Sequence, residues 1–416
     1  MQVFASVAIR RRLLCIYQHA PTPGAPGIYR HRLYLSELVR RGWDVDLIAT
    51  PINYMRGTVP EPYVGRPYVR ELIDGVVHHW VWASSGVHRS RGRRAMNYVT
   101  FATAAALRGA TLPRPDVIWA SSPPLPVANV GEALARRHRR PWILEVRDLW
   151  PESAASVGWL REDTLLYGAL ERVAHHSAHA AAAVLVPTPG LAEPVLQHGA
   201  RAVRVVPGAV LATQRPPEVR SRMRAQLNVG EDTCLFVYVG ALGVANGLQT
   251  LLDAAAAVGG DDGMAFVLMG DGSDRRRLED EVRTKRIPGV RILPPAPKDQ
   301  IPEILAASDV CLHLLRPDPL FAGALPSKVL EYLGAHRPFI TTVAGVPERL
   351  AVESGGGCAR SLEELVAELR RWASMSPDEH RRRGEQAFRY GSENFSVQAN
   401  VTKLESTLDE AMRASA

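Results

Sequence analysis

Short apolar runs rich in β-branched residues alternate with longer amphipathic segments along the whole chain, and that alternation admits few folds. Strands buried on both faces of a parallel sheet read as near-continuous apolar runs, and each needs a crossover helix to reach the next. In the first half such runs are LLCIY (13–17), DVDLIAT (44–50), VVHHWVW (76–82), DVIWAS (116–121), PWILEVR (141–147), AAVLVP (182–187) and VRVVP (203–207). Helical segments lie between them, as from Tyr29 to Arg41. After a linker rich in proline and arginine, LATQRPPEVRSR, the pattern restarts with CLFVYVG (234–240), AFVLMG (265–270), VRILPP, DVCLHLL and PFITTV (338–343).

The expected fold class is therefore α/β, with two doubly wound, Rossmann-like domains facing a cleft. A length of 416 residues exceeds one ordinary core and agrees with that division. Expected boundaries are 1–208 for the first domain and 209–387 for the second, with 388–416 returning to the first as a helix. The tail NFSVQANVTKLESTLDEAM sets Val397, Val401, Leu404, Leu408 and Met412 at helical spacing without a strand of its own, so that face needs another element to cover it.

Charge is unevenly placed. The first 200 residues hold 23 Arg and no Lys against 15 Asp plus Glu, about +8 of a total of +7, so the remainder is near neutral. Such a half attracts anionic partners, although an arginine-rich surface also arises without one. Cys15, Cys234, Cys311 and Cys358 have no paired spacing, which points to reduced thiols and away from zinc or disulfides. No apolar stretch reaches the roughly 18 residues of a membrane span, and the arginines near the start follow the apolar run, the wrong order for a signal peptide. A cytoplasmic location is expected, with peripheral contact to a membrane as an option.

Ligands of open α/β sheets bind beyond the carboxyl ends of strands, so those loops hold the candidates. The first, QHAPTPGAPGIYR, runs into a helix; Gly24 and Gly27 let backbone approach a ligand, and Arg30 and Arg32 favour an anion, unless the loop is a plain connection. At 147–153, Arg147 precedes DLWPES, where Asp148 and Glu152 flank Trp150-Pro151 and could serve catalysis or acceptor binding. Alternatively Asp148 caps the next turn and Trp150 is core. In the second half, Gly240, Leu242, Gly243 and Gly247 sit at a strand-to-helix turn, and Gly270 and Gly272 at another. Neither fits G-x-G-x-x-G, yet their amides could meet a diphosphate.

LPSKVLEYL (325–333) is sharper. Leu325, Pro326 and Ser327 open a helix, Lys328 points from its first turn, and Glu331 lies three residues on as the lone carboxylate of an apolar face. A buried carboxylate needs hydrogen-bond donors, for which the hydroxyls of a nucleotide ribose qualify, while the ammonium suits a diphosphate. The competing account is an i,i+3 ion pair between the two. Asp44 with Asp46, His78 with His79, and the histidines at 175, 176 and 179 lack the additional ligands of a metal site, so no metal is expected.

Taken in order, RHRLYLSELVRRGWDVDLIA, EVRDLWPES, FVYVGALGVANGLQTLLDA, FVLMGDGSDRRRLE, ILPPAPKDQIPEILAASDVCLHLL, PSKVLEYLGAHRPFI and the ENFS helix resemble the retaining GT-B glycosyltransferases of family four. The likeness is closest to the bacterial subgroup that includes N-acetyl-L-fucosamine transferases of surface-polysaccharide synthesis. It implies a nucleotide-sugar donor, usually UDP-linked, held mainly by the second domain through Gly240, Leu242, Gly243, Gly270, Gly272, Pro294, Pro297, Leu325, Pro326, Ser327, Lys328 and Glu331, with Gly24 and Gly27 from the first loop. It also implies an acceptor, a lipid-linked glycan or a small molecule, held by the first domain through Arg30, Trp150 and Glu152. The catalytic candidates are Arg147, Asp148, Glu152 and Lys328, with no cofactor beyond the co-substrate and no nucleic-acid partner.

Three departures from the family pattern stand out. Gly323 occupies the place of the first of two glutamates spaced eight apart, and the second is Glu331. Ala241 to Asn246 lacks the Arg and Lys that commonly neutralise the diphosphate, so Lys328 and the amides near Gly243 must substitute. Arg147-Asp148 replaces a frequent histidine. A non-hydrolysing sugar-nucleotide epimerase, with Asp148 and Glu152 as acid and base, shares the architecture and is the rival from another class.

Overall fold

The apolar runs form two sheets in a computed structural model that describes residues 10–25, 29–54, 57–87, 90–156, 158–258, 263–317, 321–323 and 325–414. The first sheet contains β1 (Arg12–Ile16), β2 (Asp44–Ala49), β3 (Tyr68–Ile73), β4 (Val76–Val81), β5 (Val117–Ser122), β6 (Trp142–Val146), β7 (Ala183–Val186) and β8 (Val203–Val205). Their order is β3-β4-β2-β1-β5-β6-β7-β8, parallel except for the β3–β4 pair. That antiparallel hairpin went unforeseen from periodicity, because β3 is half solvated and alternates instead of reading as an apolar run. Its signal was the dipeptide Asp74-Gly75, whose φ angles of 51° and 80° are both positive, as the tight turn between two strands requires.

The second sheet contains β9 (Cys234–Val239), β10 (Met264–Met269), β11 (Val290–Leu293), β12 (Val310–His313), β13 (Phe339–Thr341) and β14 (Gly357–Cys358), in the order β11-β10-β9-β12-β13-β14 and parallel throughout. Apolar layers cover both of its faces, one built around Phe236, Leu252 and Trp372, the other around Val237, Val329 and Leu333. In each sheet the strand order reverses beside the first strand, between β1 and β5 and between β9 and β12. Loops leaving those strands are forced apart there, which opens a crevice at the carboxyl edge.

Flanking helices of the first unit include α1 (Arg30–Arg40), α2 (Arg91–Thr111), α3 (Pro126–His138), α4 (Glu152–Ser156) and α5 (Leu165–Ala180). The terminal helix Val397–Ala414 belongs to this unit and packs on α1, burying Val397, Val401, Leu404, Leu408 and Ala411. Ala411 takes the place expected of Met412, which is half-buried. Around that face Arg11 pairs with Asp409 at 2.7 Å and Glu405 at 2.6 Å, and the Trp43 indole donates to Glu405 at 2.8 Å.

The chain divides into Met1–Pro207 with Val397–Ala416, and Gly208–Ser396. The boundary read at 388 falls inside the helix Pro377–Asn394, which packs against Ser327–Gly334 within the second unit, so the return begins at Val397. Among the described residues no helix is long and apolar enough to cross a membrane.

Candidate functional site

At the carboxyl edge of the second sheet the chain leaves β9 through Gly240, whose φ of 152° disfavours any side chain. A Cβ there would also stand 2.7 Å from the Lys328 Nζ. The neighbouring turn is packed backbone to backbone, since a Cβ on Gly270 would run into the Gly240 carbonyl and one on Gly272 into that of Leu242. The amides of Gly240 and Leu242 donate to Met269 at 3.0 Å and Asp271 at 2.9 Å. They are therefore spent on the fold and not free for a diphosphate; Gly243, which opens the turn Val244–Asn246, remains the better placed of these residues.

Lys328 enters this turn from the helix Ser327–Gly334, for which Pro326 is the extended residue before the first turn. Its ammonium donates to the Tyr238 hydroxyl at 2.9 Å and lies 4.1 Å from the ring centroid. That hydroxyl is within hydrogen-bond reach of the Ala241 carbonyl, 2.8 Å, and the Asn246 amide oxygen, 2.9 Å. Burial pushes the Lys328 ammonium down to about 8, and the charge of Glu331 offsets this only in part. Among the described residues no carboxylate forms an ion pair with it. A partly buried cation held by a hydroxyl and a ring is a place that suits an anion.

Glu331 differs from its sequence-based description. Its side chain is 36% exposed and forms an ion pair with Lys298, so it is neither buried nor without a partner in the protein. Lys298 reaches it from the turn Lys298–Gln300, which follows the exposed Pro297 and lies 33 positions earlier in the chain, where local spacing could not reveal it. The i,i+3 pair between Lys328 and Glu331 is not formed either, because the two side chains turn to Tyr238 and Lys298. Pro294 is exposed after β11, Leu325 is half-buried, Ser327 is exposed, and Gly323 lies in a turn.

Two residues beside Lys328 escaped sequence reasoning. Tyr238 looked like one more apolar strand residue. His313, which ends β12, is buried with Nδ1 bonded to the Thr341 hydroxyl at 2.9 Å and, among the described residues, no partner for Nε2. Burial and the Lys328 charge push its imidazole down to about 3, so it is neutral. A histidine within the apolar run DVCLHLL was the available signal.

In the first unit, Arg147 leaves β6 and crosses the switch point: it donates to the Ser121 hydroxyl at 3.0 Å and the Pro123 carbonyl at 2.6 Å, with its guanidinium 4.8 Å from the Tyr17 ring centroid. His19, in the loop after β1, is pushed down to about 3 by burial and by the Arg147 charge. Asp148 is exposed, and with Trp150, Ser122, Leu149 and His198 it lines a small cavity. Burial would raise the Glu152 carboxyl, but a 2.9 Å contact with His198 holds it below the usual carboxylate range. His198 in turn stacks on His175 at 4.3 Å. Gly24 adopts a φ of 74°, whereas Gly27 lies outside the described residues.

Arg30, read as an acceptor ligand, serves the core instead. Its guanidinium pairs with Glu145, fully buried on β6, and donates to the carbonyls of Val206 and Pro207. His31 approaches the other oxygen of Glu145 at 2.7 Å and stacks on Tyr17 at 3.9 Å. The sequence placed Arg30 correctly at the helix start, but the carboxylate that captures it lies 115 residues away.

Among the described residues one grouping has metal-ligand atoms within 4.8 Å of one another: Cys234, Asp309 and His380. Asp309 is already committed to Arg220 at 2.6 Å, Arg224 at 3.2 Å and the Leu235 amide at 2.8 Å, and two guanidiniums repel a cation. These residues do not fit a metal.

Residues 24–209 match the family model of the glycosyl transferase 4-like domain, and residues 233–374 match that of glycosyl transferases group 1. Over 154 residues the chain is 25% identical to WcaI of Escherichia coli strain K12, assigned as a colanic acid biosynthesis glycosyl transferase; the match spans 36% of this chain and 37% of that protein. Among solved structures, sucrose-phosphate synthase of Thermosynechococcus elongatus aligns with a TM-score of 0.74 at 18% identity, covering 97% of this chain and all of the other. Anabaena HepE, solved in complex with UDP-glucose, aligns with a TM-score of 0.68 at 16% identity, covering 96% and 99%. The two structures share its fold, and with both domain models matched in succession along most of its length, the chain belongs to the GT-B glycosyltransferases of group 1.

Proposed function

We propose that this glycosyltransferase moves a sugar from a UDP-linked donor, such as UDP-N-acetylglucosamine or a related amino sugar, to an acceptor hydroxyl with retention of anomeric configuration. The observation that carries the donor reading is the Lys328 ammonium, lodged against the glycine turn and Tyr238 and paired with no carboxylate among the described residues. The binding of UDP-glucose by HepE supports the choice of nucleotide. Glu331, with Lys298 beside it, is the proposed ribose contact, and it exchanges that ion pair for the ribose hydroxyls on binding.

In the front-face route the bond from the anomeric carbon to the β-phosphate oxygen breaks as the acceptor oxygen bonds to the same face, and the acceptor proton passes to the departing oxygen. Such chemistry asks the protein for an electrostatic clamp more than for a strong base. Lys328 and the Gly243 turn are the clamp. On the first unit Arg147, Asp148, Trp150 and Glu152 are proposed to receive the acceptor, a lipid-linked glycan of the kind handled by the N-acetyl-L-fucosamine transferase subgroup or else a soluble small molecule. No cofactor or metal takes part.

The epimerase alternative is not favoured, since both matched families are glycosyl transferases. Incubation with a panel of UDP-sugars and candidate acceptors tests the proposal: product formation with release of UDP supports it. Isomerisation of a UDP-sugar without any acceptor, or absence of UDP binding by calorimetry, overturns it.

A further inference from the structure

Three rings from three separate segments meet at the carboxyl edge of the first sheet. His19, in the loop after β1, lies 4.5 Å from the ring centroid of Tyr54, in the loop after β2, and 6.4 Å from that of Tyr98 on α2. Buried polar groups hold two of these segments together. The Gln18 amide donates to the Asn97 side-chain oxygen at 2.7 Å, and the Asn97 amide donates to the Ser84 carbonyl at 2.7 Å. Gln18 and Asn97 each directly precede one of the rings, so the bridge fixes His19 against Tyr98. The rings themselves are not core, since Tyr54 is 48% exposed and the other two are half-buried.

The cluster is uncharged and polar at its tips. His19 is neutral, and among the described residues its ring nitrogens form no hydrogen bond. A neutral imidazole offers one donor and one acceptor. Burial and the nearby Tyr54 hydroxyl push the Tyr98 hydroxyl up to about 12, so it too keeps its proton.

We propose that His19, Tyr54 and Tyr98 determine acceptor specificity and select a carbohydrate: a sugar ring lays its apolar C–H face on Tyr54 while its hydroxyls bond to His19 and Tyr98. A sugar hydroxyl both donates and accepts, which matches an imidazole and a phenol, and a half-exposed tyrosine presents a rigid apolar face with a polar edge. A planar aromatic acceptor would stack on the tyrosine as well, but it leaves the imidazole and the phenol without partners. The Arg147 charge, which disfavours a proton on His19, disfavours an ammonium group on the acceptor for the same reason. That the bound sugar is the acceptor rests on the transferase reading above; that these rings bind a sugar does not.

The test is saturation-transfer NMR of the full chain, without donor, against the methyl glycosides of glucose, galactose and N-acetylglucosamine, with indole as a planar control. Saturation is expected to reach the ring C–H protons of at least one glycoside. Tyr54→Ala and His19→Ala should each weaken that binding by roughly tenfold or more, while the thermal shift given by UDP is kept. Tyr54→Phe should retain binding, because the face of the ring remains, and His19→Gln should recover part of it, because a donor and an acceptor remain. Should His19→Ala fail to fold, Tyr54→Ala at its exposed position decides alone. The proposal is overturned if none of the glycosides binds, if the alanine variants bind as the unaltered chain does, or if indole occupies the rings in their place. Glycoside binding without any UDP shift upholds the sugar subsite and counts against the donor reading alone.

Discussion

The Lys328 ammonium donates to the Tyr238 hydroxyl at 2.9 Å while lying 4.1 Å from that ring's centroid, so the tyrosine fixes the cation through both its polar tip and its π face. Cation–π attraction and one neutral hydrogen bond partly replace water without neutralising the charge. The lysine thereby stays oriented and short of an anion, the state a diphosphate would complete.

Removing the cation tests this most directly. Lys328→Ala should lower turnover roughly a hundredfold, the loss of a charge-assisted contact of about 2.7 kcal/mol. Tyr238→Phe should cost less, because the ring remains. Initial rates at saturating acceptor, with donor affinity measured alongside, decide the point, and near-normal turnover of the alanine variant would sink the assignment.

A pH signature follows from the Lys328 ammonium, which burial pushes from its ordinary 10.5 down to about 8. Between those values the unfolded chain holds a proton that the folded one has released, so this group's contribution to folding stability rises with pH across that window. Donor binding runs the other way, since the diphosphate requires the charged form. Thermal melts from pH 7 to pH 10 should show the UDP-induced shift shrinking above about pH 8. Loss of that inflection in Lys328→Arg would confirm its source.

Glu331 separates recognition from stability. Its pair with Lys298 is 36% exposed on both sides, and such pairs contribute only about 0–1 kcal/mol. Glu331→Gln should barely move the melting temperature yet weaken UDP binding through the lost ribose contact. A large loss of stability with unchanged UDP affinity would mark the carboxylate as structural.

Gly240 and Arg30 should fail for different reasons. In Gly240→Ala the new Cβ meets the Lys328 Nζ at 2.7 Å at a φ of 152°, so donor affinity falls as the lysine is displaced. Glu145→Ala strands Arg30 in the core, and breaking a buried pair costs about 3–5 kcal/mol. The Arg30 charge, helped by His31, outweighs burial and holds the Glu145 carboxyl well below the usual range. Its stabilisation is present above the ordinary carboxylate pKa and is lost as pH falls through the folded one. Calorimetric UDP affinity of Gly240→Ala, and denaturant midpoints of Glu145→Ala and the unaltered chain from pH 7 down to about pH 2, check these expectations.

What the sequence determined was everything that depends on periodicity and local chemistry. Apolar runs of five to seven residues named twelve of the strands, because a strand buried on both faces has little room for polar residues. Glycine and proline marked the turns at the carboxyl edges, and Pro326-Ser327-Lys328 marked the start of a helix, since these are constraints carried by neighbouring residues. The half-solvated β3 was lost for want of an apolar run, although Asp74-Gly75 announced its turn. Pairing of charges was decided only by tertiary structure. Arg30 goes to Glu145, Lys328 to Tyr238 and Glu331 to Lys298, in each case across 33 or more positions. Which opposite charge or ring a long side chain meets depends on how strands are ordered in a sheet, and no local pattern in the chain encodes that distance.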